Sequence, residues 1–78
     1  MKNFNKILVG ESYKIEDILC DTPIKKRLNS LGILKNSSIV IYEKIPLGGP
    51  IIINVNGCNI ALEKKIFNTL ILNKHIGE

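Results

Sequence analysis

The dipeptide Asn56-Gly57 constrains the fold of this chain more than any other feature. Asn and Gly both accept positive φ at low cost, which makes the pair the preferred centre of a two-residue type I′ hairpin turn. A turn there sets Val55 opposite Cys58, Ile53 opposite Ile60 and Ile51 opposite Leu62, with all six on one side of a two-stranded ribbon. The other side carries Ile52, Asn54, Asn59 and Ala61. One face is apolar throughout and the other mixed, as in a sheet that covers a core on one side. A slip of one residue turns Asn54 and Asn59 inward, so the register is well specified.

Other segments resolve into short elements around this ribbon. From Ser12 to Ile18, Tyr13 and Ile15 alternate with Lys14 and Glu16, which predicts a strand with one wet face. The alternation breaks at Asp17-Ile18-Leu19, where the strand should bend or end. A helix is expected over about 23–31. Thr22 suits its N-cap, Pro23 its first turn, and Ile24, Leu28 and Leu31 share one face. Gly32 can take the left-handed conformation that ends a helix, with Ile33 folding back onto Leu28. Residues 37–45 predict a strand that is central or strongly curved, because Ile39, Val40, Ile41 and Tyr42 make both faces apolar. Those four, like residues 51–55, are expected in the core. Two prolines and two glycines make residues 46–50 a loop. A short helical turn over 63–67 with Asn68 as its cap, and a last strand over 69–72, complete the order. Residues 1–6 and 75–78 are expected to be loose ends of one domain.

A chain of 78 residues has room for a single core. Isoleucine, leucine and valine supply 27 of them, too many for a disordered tail. The fold class expected is mainly β (α+β): a small β-barrel with one added helix and a short C-terminal helical turn. Closure of the barrel should remove the edges that an isoleucine-rich sheet otherwise exposes. No apolar run approaches the roughly 20 residues of a spanning helix. The first residues also lack the apolar block of a secretory signal, so a cytoplasmic location is the default expectation.

Few chemical groups converge. The net charge of +4 comes almost entirely from lysine, ten of the eleven cations, and fits solubility better than nucleic-acid binding. Cys20 and Cys58 stand 38 residues apart with one histidine, His75, in the whole chain, too few ligands for a structural zinc. Both cysteines are expected to be small buried hydrophobes. No phosphate loop, HExxH, GxSxG or paired carboxylate motif is present, and Gly48-Gly49 is not followed by a helix that opens with lysine. The expectation is a binding module, not an enzyme, with no cofactor and no metal of its own.

Three stretches carry a family likeness. Arg27-Leu28-Asn29-Ser30-Leu31-Gly32-Ile33, Ser37-Ser38-Ile39, and Ile45-Pro46-Leu47-Gly48-Gly49-Pro50-Ile51 together resemble the ferrous iron transport protein A (FeoA) family. So does the close of the chain, Ile60-Ala61-Leu62 followed by Lys64-Lys65 and a short apolar strand. The resemblance runs from about Leu8 to Leu72. It implies an SH3-like β-barrel with an added helix. It also implies a small cytosolic accessory of ferrous iron uptake that acts on the cytosolic part of the FeoB membrane GTPase-permease. The same fold occurs in metal-dependent repressors resembling the diphtheria toxin repressor. Three positions depart from the family pattern: Gly49 stands where an acid is common, Asn36 where glycine is usual, and Glu63 where arginine is frequent.

The candidate partner-binding residues follow from these motifs. Pro46, Leu47, Gly48, Gly49 and Pro50 form the loop, in which Leu47 either anchors a partner or folds back to plug an open barrel end. Lys25, Lys26 and Arg27 on the helix either meet an acidic patch or headgroups, or form a solvated face; Arg27 and Lys26 are the ones retained. The expected partner is an FeoB-type transporter that recruits the domain to the inner face of the membrane. The alternatives are a nucleic-acid-binding small β-barrel, disfavoured by the lack of exposed aromatics and arginines, and an SH3-like domain related to metal-dependent repressors. A homo-oligomer, including a metal site shared between subunits, stays open.

Overall fold

The hairpin centred on Asn56-Gly57 forms in the register expected: Val55 pairs with Cys58, Ile53 with Ile60 and Ile51 with Leu62. A computed structural model describes residues 7–74. Its elements are β1 (Ser12–Ile18), α1 (Thr22–Ser30), β2 (Ser38–Lys44), β3 (Ile51–Val55), β4 (Cys58–Leu62), α2 (Lys64–Phe67) and β5 (Leu70–Lys74). They form one five-stranded sheet in the order β4-β3-β2-β1-β5, and every pairing in it is antiparallel. The domain is the mainly β, SH3-like fold expected, with one longer helix and one short C-terminal turn of helix. The loose ends expected at residues 1–6 and 75–78 lie outside the described residues.

Strand β2 sits at the centre of the sheet, as its apolar run requires. Its two faces are not equal, however. Ile39 and Ile41 are buried, Val40 is half-buried and Tyr42 is exposed. Likewise Ile51, Ile53 and Val55 are buried, whereas Ile52 and Asn54 are half-buried on the outer face. The expected core thus contains alternate residues, because a strand sends neighbours to opposite faces. Register shifts at Ile15/Asp17 and at Ile41/Glu43 bend β1 and β2 around that core. The first lies where the alternation of β1 breaks down.

Closure through the backbone does not occur among the described residues: β4 and β5 stay at opposite edges of the ladder. Core side chains join the two ends instead. Leu62 of β4, Phe67 of α2 and Leu70 of β5 are all buried in one cluster with Ile15, Ile33, Ile39, Ile41 and Ile53. Removing such an isoleucine down to alanine costs about 2–5 kcal/mol. Ile7 joins the cluster, and the Leu8 N–H donates to the Tyr13 hydroxyl at 3.0 Å, which fastens the segment before β1.

Helix α1 begins one residue earlier than expected, and its cap is different. Asp21, not Thr22, is the N-cap; its Oδ1 accepts from the Ile24 N–H at 3.4 Å. Asp21 precedes Pro23 by two residues and its extended backbone aims the carboxylate back at the first turn, so Thr22 becomes helical. At the other end Gly32 takes φ 93°, and the Ile33 N–H donates to Leu28 O at 3.0 Å, as expected. Asn36 takes φ 75°, the left-handed conformation that makes it an adequate replacement for glycine. The last strand runs over Leu70–Lys74, shifted one to two residues beyond the 69–72 expected; its first buried residue is Leu70.

Candidate partner-binding site

Residues 46–50 join β2 to β3 as a tight turn. The Gly49 N–H donates to Pro46 O at 3.2 Å, and the Ile45 N–H to Pro50 O at 3.0 Å. The two central residues, Leu47 and Gly48, both have positive φ, 61° and 77°, which is the pattern of a type I′ turn. Gly48 meets this requirement without strain, but a leucine does not: the left-handed region costs a residue with a Cβ about 1–2 kcal/mol. Leu47 is also fully exposed. Of its two readings, plugging the barrel end is therefore excluded. Gly49 has a different role. A Cβ at that position meets Ile45 Cγ2 at 2.6 Å and Ile45 Cβ at 2.9 Å, so the missing side chain lets Ile45 close under the turn. An acid at this position, as in the family pattern, does not fit this packing. A hollow of about 190 Å³ lies beside the turn, bordered by Lys44, Ile51 and Lys64.

The basic triplet of α1 is split by the helix rather than gathered. Lys25, Lys26 and Arg27 are all exposed. Lys25 borders a hollow with Asp17, Asn29 and Lys35. Arg27 faces a groove of about 240 Å³ between α1 and the β4–α2 corner, where Ile24 and Leu31 oppose Leu62, Glu63 and Ile66 over Leu28. Lys26 lines neither. Leu31 and Ile66 are the apolar lining that helical spacing alone disguises. Residues 24, 28 and 31 read as one buried face, but α1 buries only Leu28. Ile24 is left half-buried and Leu31 exposed, on the groove wall. The groove reaches Glu63, and the hollow beside Leu47 reaches Lys64, so both candidate regions border the start of α2.

Little ionisable chemistry gathers at either region. The clear perturbation among the described residues is on β5: the Lys74 ammonium is raised above the usual lysine value by its hydrogen bond to Glu11, with Coulombic attraction adding to it. The pair is 3.0 Å apart and exposed. Among the described residues, no three of His, Cys, Asp and Glu come together as a metal site requires. The cysteines are not the buried pair expected. Cys20 is only half-buried, and Cys58, at the turn end of an edge strand whose other end buries Leu62, is exposed. Among the described residues one aromatic, Tyr42, is exposed, against the expectation of none; Tyr13 and Phe67 are buried. A single ring makes no stacking ladder for a nucleic acid strand.

The model of the FeoA domain family matches residues 3–73. This chain belongs to the FeoA family. No functionally curated protein matches it. Among solved structures, the FeoA protein of Chlorobium tepidum superposes with a TM-score of 0.86 at 20% identity, covering 100% of this chain and 73% of that one. An iron uptake regulatory protein, FeoA, is 28% identical with a TM-score of 0.76, covering 88% of this chain and 89% of its own. ScaR with bound cadmium shares 14% identity at a TM-score of 0.82, but the likeness spans 35% of ScaR. At that identity it is a likeness of fold. FeoA membership supports a role in iron uptake.

Proposed function

We propose that this FeoA domain is a non-enzymatic accessory of ferrous iron uptake that docks on the cytosolic part of an FeoB-type transporter, with Leu47 as the anchor. The observation that carries this reading is the conformation of Leu47: a large apolar side chain fully exposed on a backbone that disfavours it. Strain of this kind costs about 1–3 kcal/mol and persists where another requirement selects the residue. Exposed apolar anchors that enter a partner's pocket are such a requirement. Pro46 and Pro50 bracket the turn, Gly48 permits its backbone, and Gly49 lets Ile45 support it. Arg27, on the groove beside α2, and the exposed Lys26 form the flanking polar contacts. Among the described residues no helix is long and apolar enough to cross a membrane, so attachment to the inner membrane face comes through the transporter.

The test is calorimetric titration of the domain into the isolated cytosolic region of the transporter. Leu47→Asp should weaken binding at least tenfold while the circular dichroism spectrum and melting temperature stay at or above wild type. Arg27→Glu should weaken it less. Unchanged affinity in Leu47→Asp removes the loop from the interface.

A further inference from the structure

The sheet ends in two edges of different character. Edge β5 is guarded: Lys74 pairs with Glu11, Asn73 Nδ2 donates to Glu16 at 2.7 Å, and a register shift interrupts its ladder with β1. Such charges and irregularities keep an edge from pairing with another chain. Edge β4 has none of these. Its residues Cys58, Asn59, Ile60, Ala61 and Leu62 include no charge and no proline, and its ladder with β3 is regular.

The register also fixes which backbone groups face outward. In a two-residue hairpin the residues flanking the turn, Val55 and Cys58, are a hydrogen-bonded pair, and bonded pairs then alternate along the ladder. Ile53–Ile60 and Ile51–Leu62 are therefore bonded, whereas Asn59 and Ala61 point their N–H and C=O groups away from β3. Both residues are exposed. Among the described residues no other backbone or side-chain group bonds to those outward groups.

We infer that β4 joins two copies of this chain, antiparallel about Ile60. In that register Asn59 faces Ala61 of the second copy and Ala61 faces its Asn59, so all four outward groups of each strand are bonded. Ile60 meets its own counterpart in a close, non-bonded pair, and Cys58 meets the partner's Leu62. These contacts cover the members of the inner apolar row that the monomer leaves open, exposed Cys58 and half-buried Ile60. The register of the strand favours a second copy as the occupant, because turned antiparallel about Ile60 it offers each outward Asn59 and Ala61 group its complement. A chain of net charge +4 repels itself over most approaches, and β4 is an edge at which two copies bring no cations together. One short strand per copy makes a small interface, so the dimer is weak and concentration-dependent.

Sedimentation equilibrium over a wide concentration range tests this. The wild-type chain should shift from monomer to dimer as concentration rises. Ala61→Pro, which removes an outward N–H without touching the ladder to β3, should stay monomeric with an unchanged circular dichroism spectrum. Asn59→Lys, which sets cations into the seam, should do the same should the proline variant fail to fold. In a Cys20→Ser/Cys58→Ser background, Ile60→Cys should form a disulfide-linked dimer under an added oxidant, and Lys14→Cys should not. A wild-type chain that stays monomeric throughout, or a dimer that survives both edge variants, overturns the inference. So does a monomeric chain whose transporter binding is lost in Ala61→Pro, since that outcome gives the edge to a strand of another protein.

Discussion

Two turns flank strand β3, one leading in from β2 and one leading out to β4. In each, two consecutive residues take positive φ: Leu47 and Gly48 at 61° and 77°, Asn56 and Gly57 at 53° and 85°. The second turn contains the residues that this backbone prefers, and a side chain braces it: the Gly57 N–H donates to Asn54 Oδ1 at 3.2 Å. The first holds a leucine where asparagine or glycine is cheapest. One backbone shape is thus filled once to serve the fold and once against its interest. The difference supports the docking role proposed for the β2–β3 turn, because a residue that costs stability and buries nothing in its own chain is explained by a requirement outside it.

The sharpest way to break this comparison is to give each turn's last glycine a side chain. Gly49→Ala drives a methyl into Ile45 and should cost about 2 kcal/mol in urea unfolding, as overpacking does. Gly57→Ala enters open space and should cost about 1 kcal/mol, from its positive φ alone. Equal losses for the two deny that Gly49 is there for packing. Exchanging the first residues comes next. Leu47→Asn should stabilise the domain by about 1 kcal/mol and Asn56→Leu should destabilise it by about the same. Opposite signs at matching positions sharpen the comparison; two losses mean that Leu47 is structural after all.

The same contrast explains how far the residues alone reveal the structure. The β3–β4 ribbon was legible down to its register, since Asn56-Gly57 states a turn type and the flanking alternation states a face. The Leu28–Ile33 helix end was legible for a similar reason: Gly32 permits one conformation and Ile33 then has one partner. Exposure was less legible, because it depends on what lies opposite. Cys58 and Ile60 occupy the same apolar row as Ile53, yet at a sheet edge they lack a neighbour to cover them. Ile24 and Leu31 share a helical stripe with Leu28, but α1 packs on its central residue and leaves the flanks to a groove. Leu47 carries the same ambiguity. Its place between Pro46 and Gly48 marks a loop tip, while its orientation out of the barrel rests on three-dimensional geometry that no local pattern encodes. Asp21 and Thr22 are both good caps by residue type, and backbone geometry chooses Asp21, one residue before the cap that sequence suggests.

The smallest expected effect concerns the brace of the second turn. Asn54 accepts from the Gly57 N–H through Oδ1 and donates through Nδ2 to Asn59 Oδ1 at 2.8 Å. Both bonds lie at the surface, where each contributes on the order of 0.5–1 kcal/mol or less. Asn54→Ala removes both and should lower stability by about 1 kcal/mol. Asn54→Asp keeps an acceptor for Gly57 but presents an oxygen to Asn59, and should recover about half of that loss if the bond to the turn matters as much as the bond across the strands. Full recovery assigns the bracing to the turn bond alone. No recovery assigns it to the Asn54–Asn59 pair, and the β3–β4 turn then stands on the conformational preference of Asn56 and Gly57 alone. In that case its difference from the β2–β3 turn reduces to Asn56 against Leu47, the one substitution on which the functional argument rests.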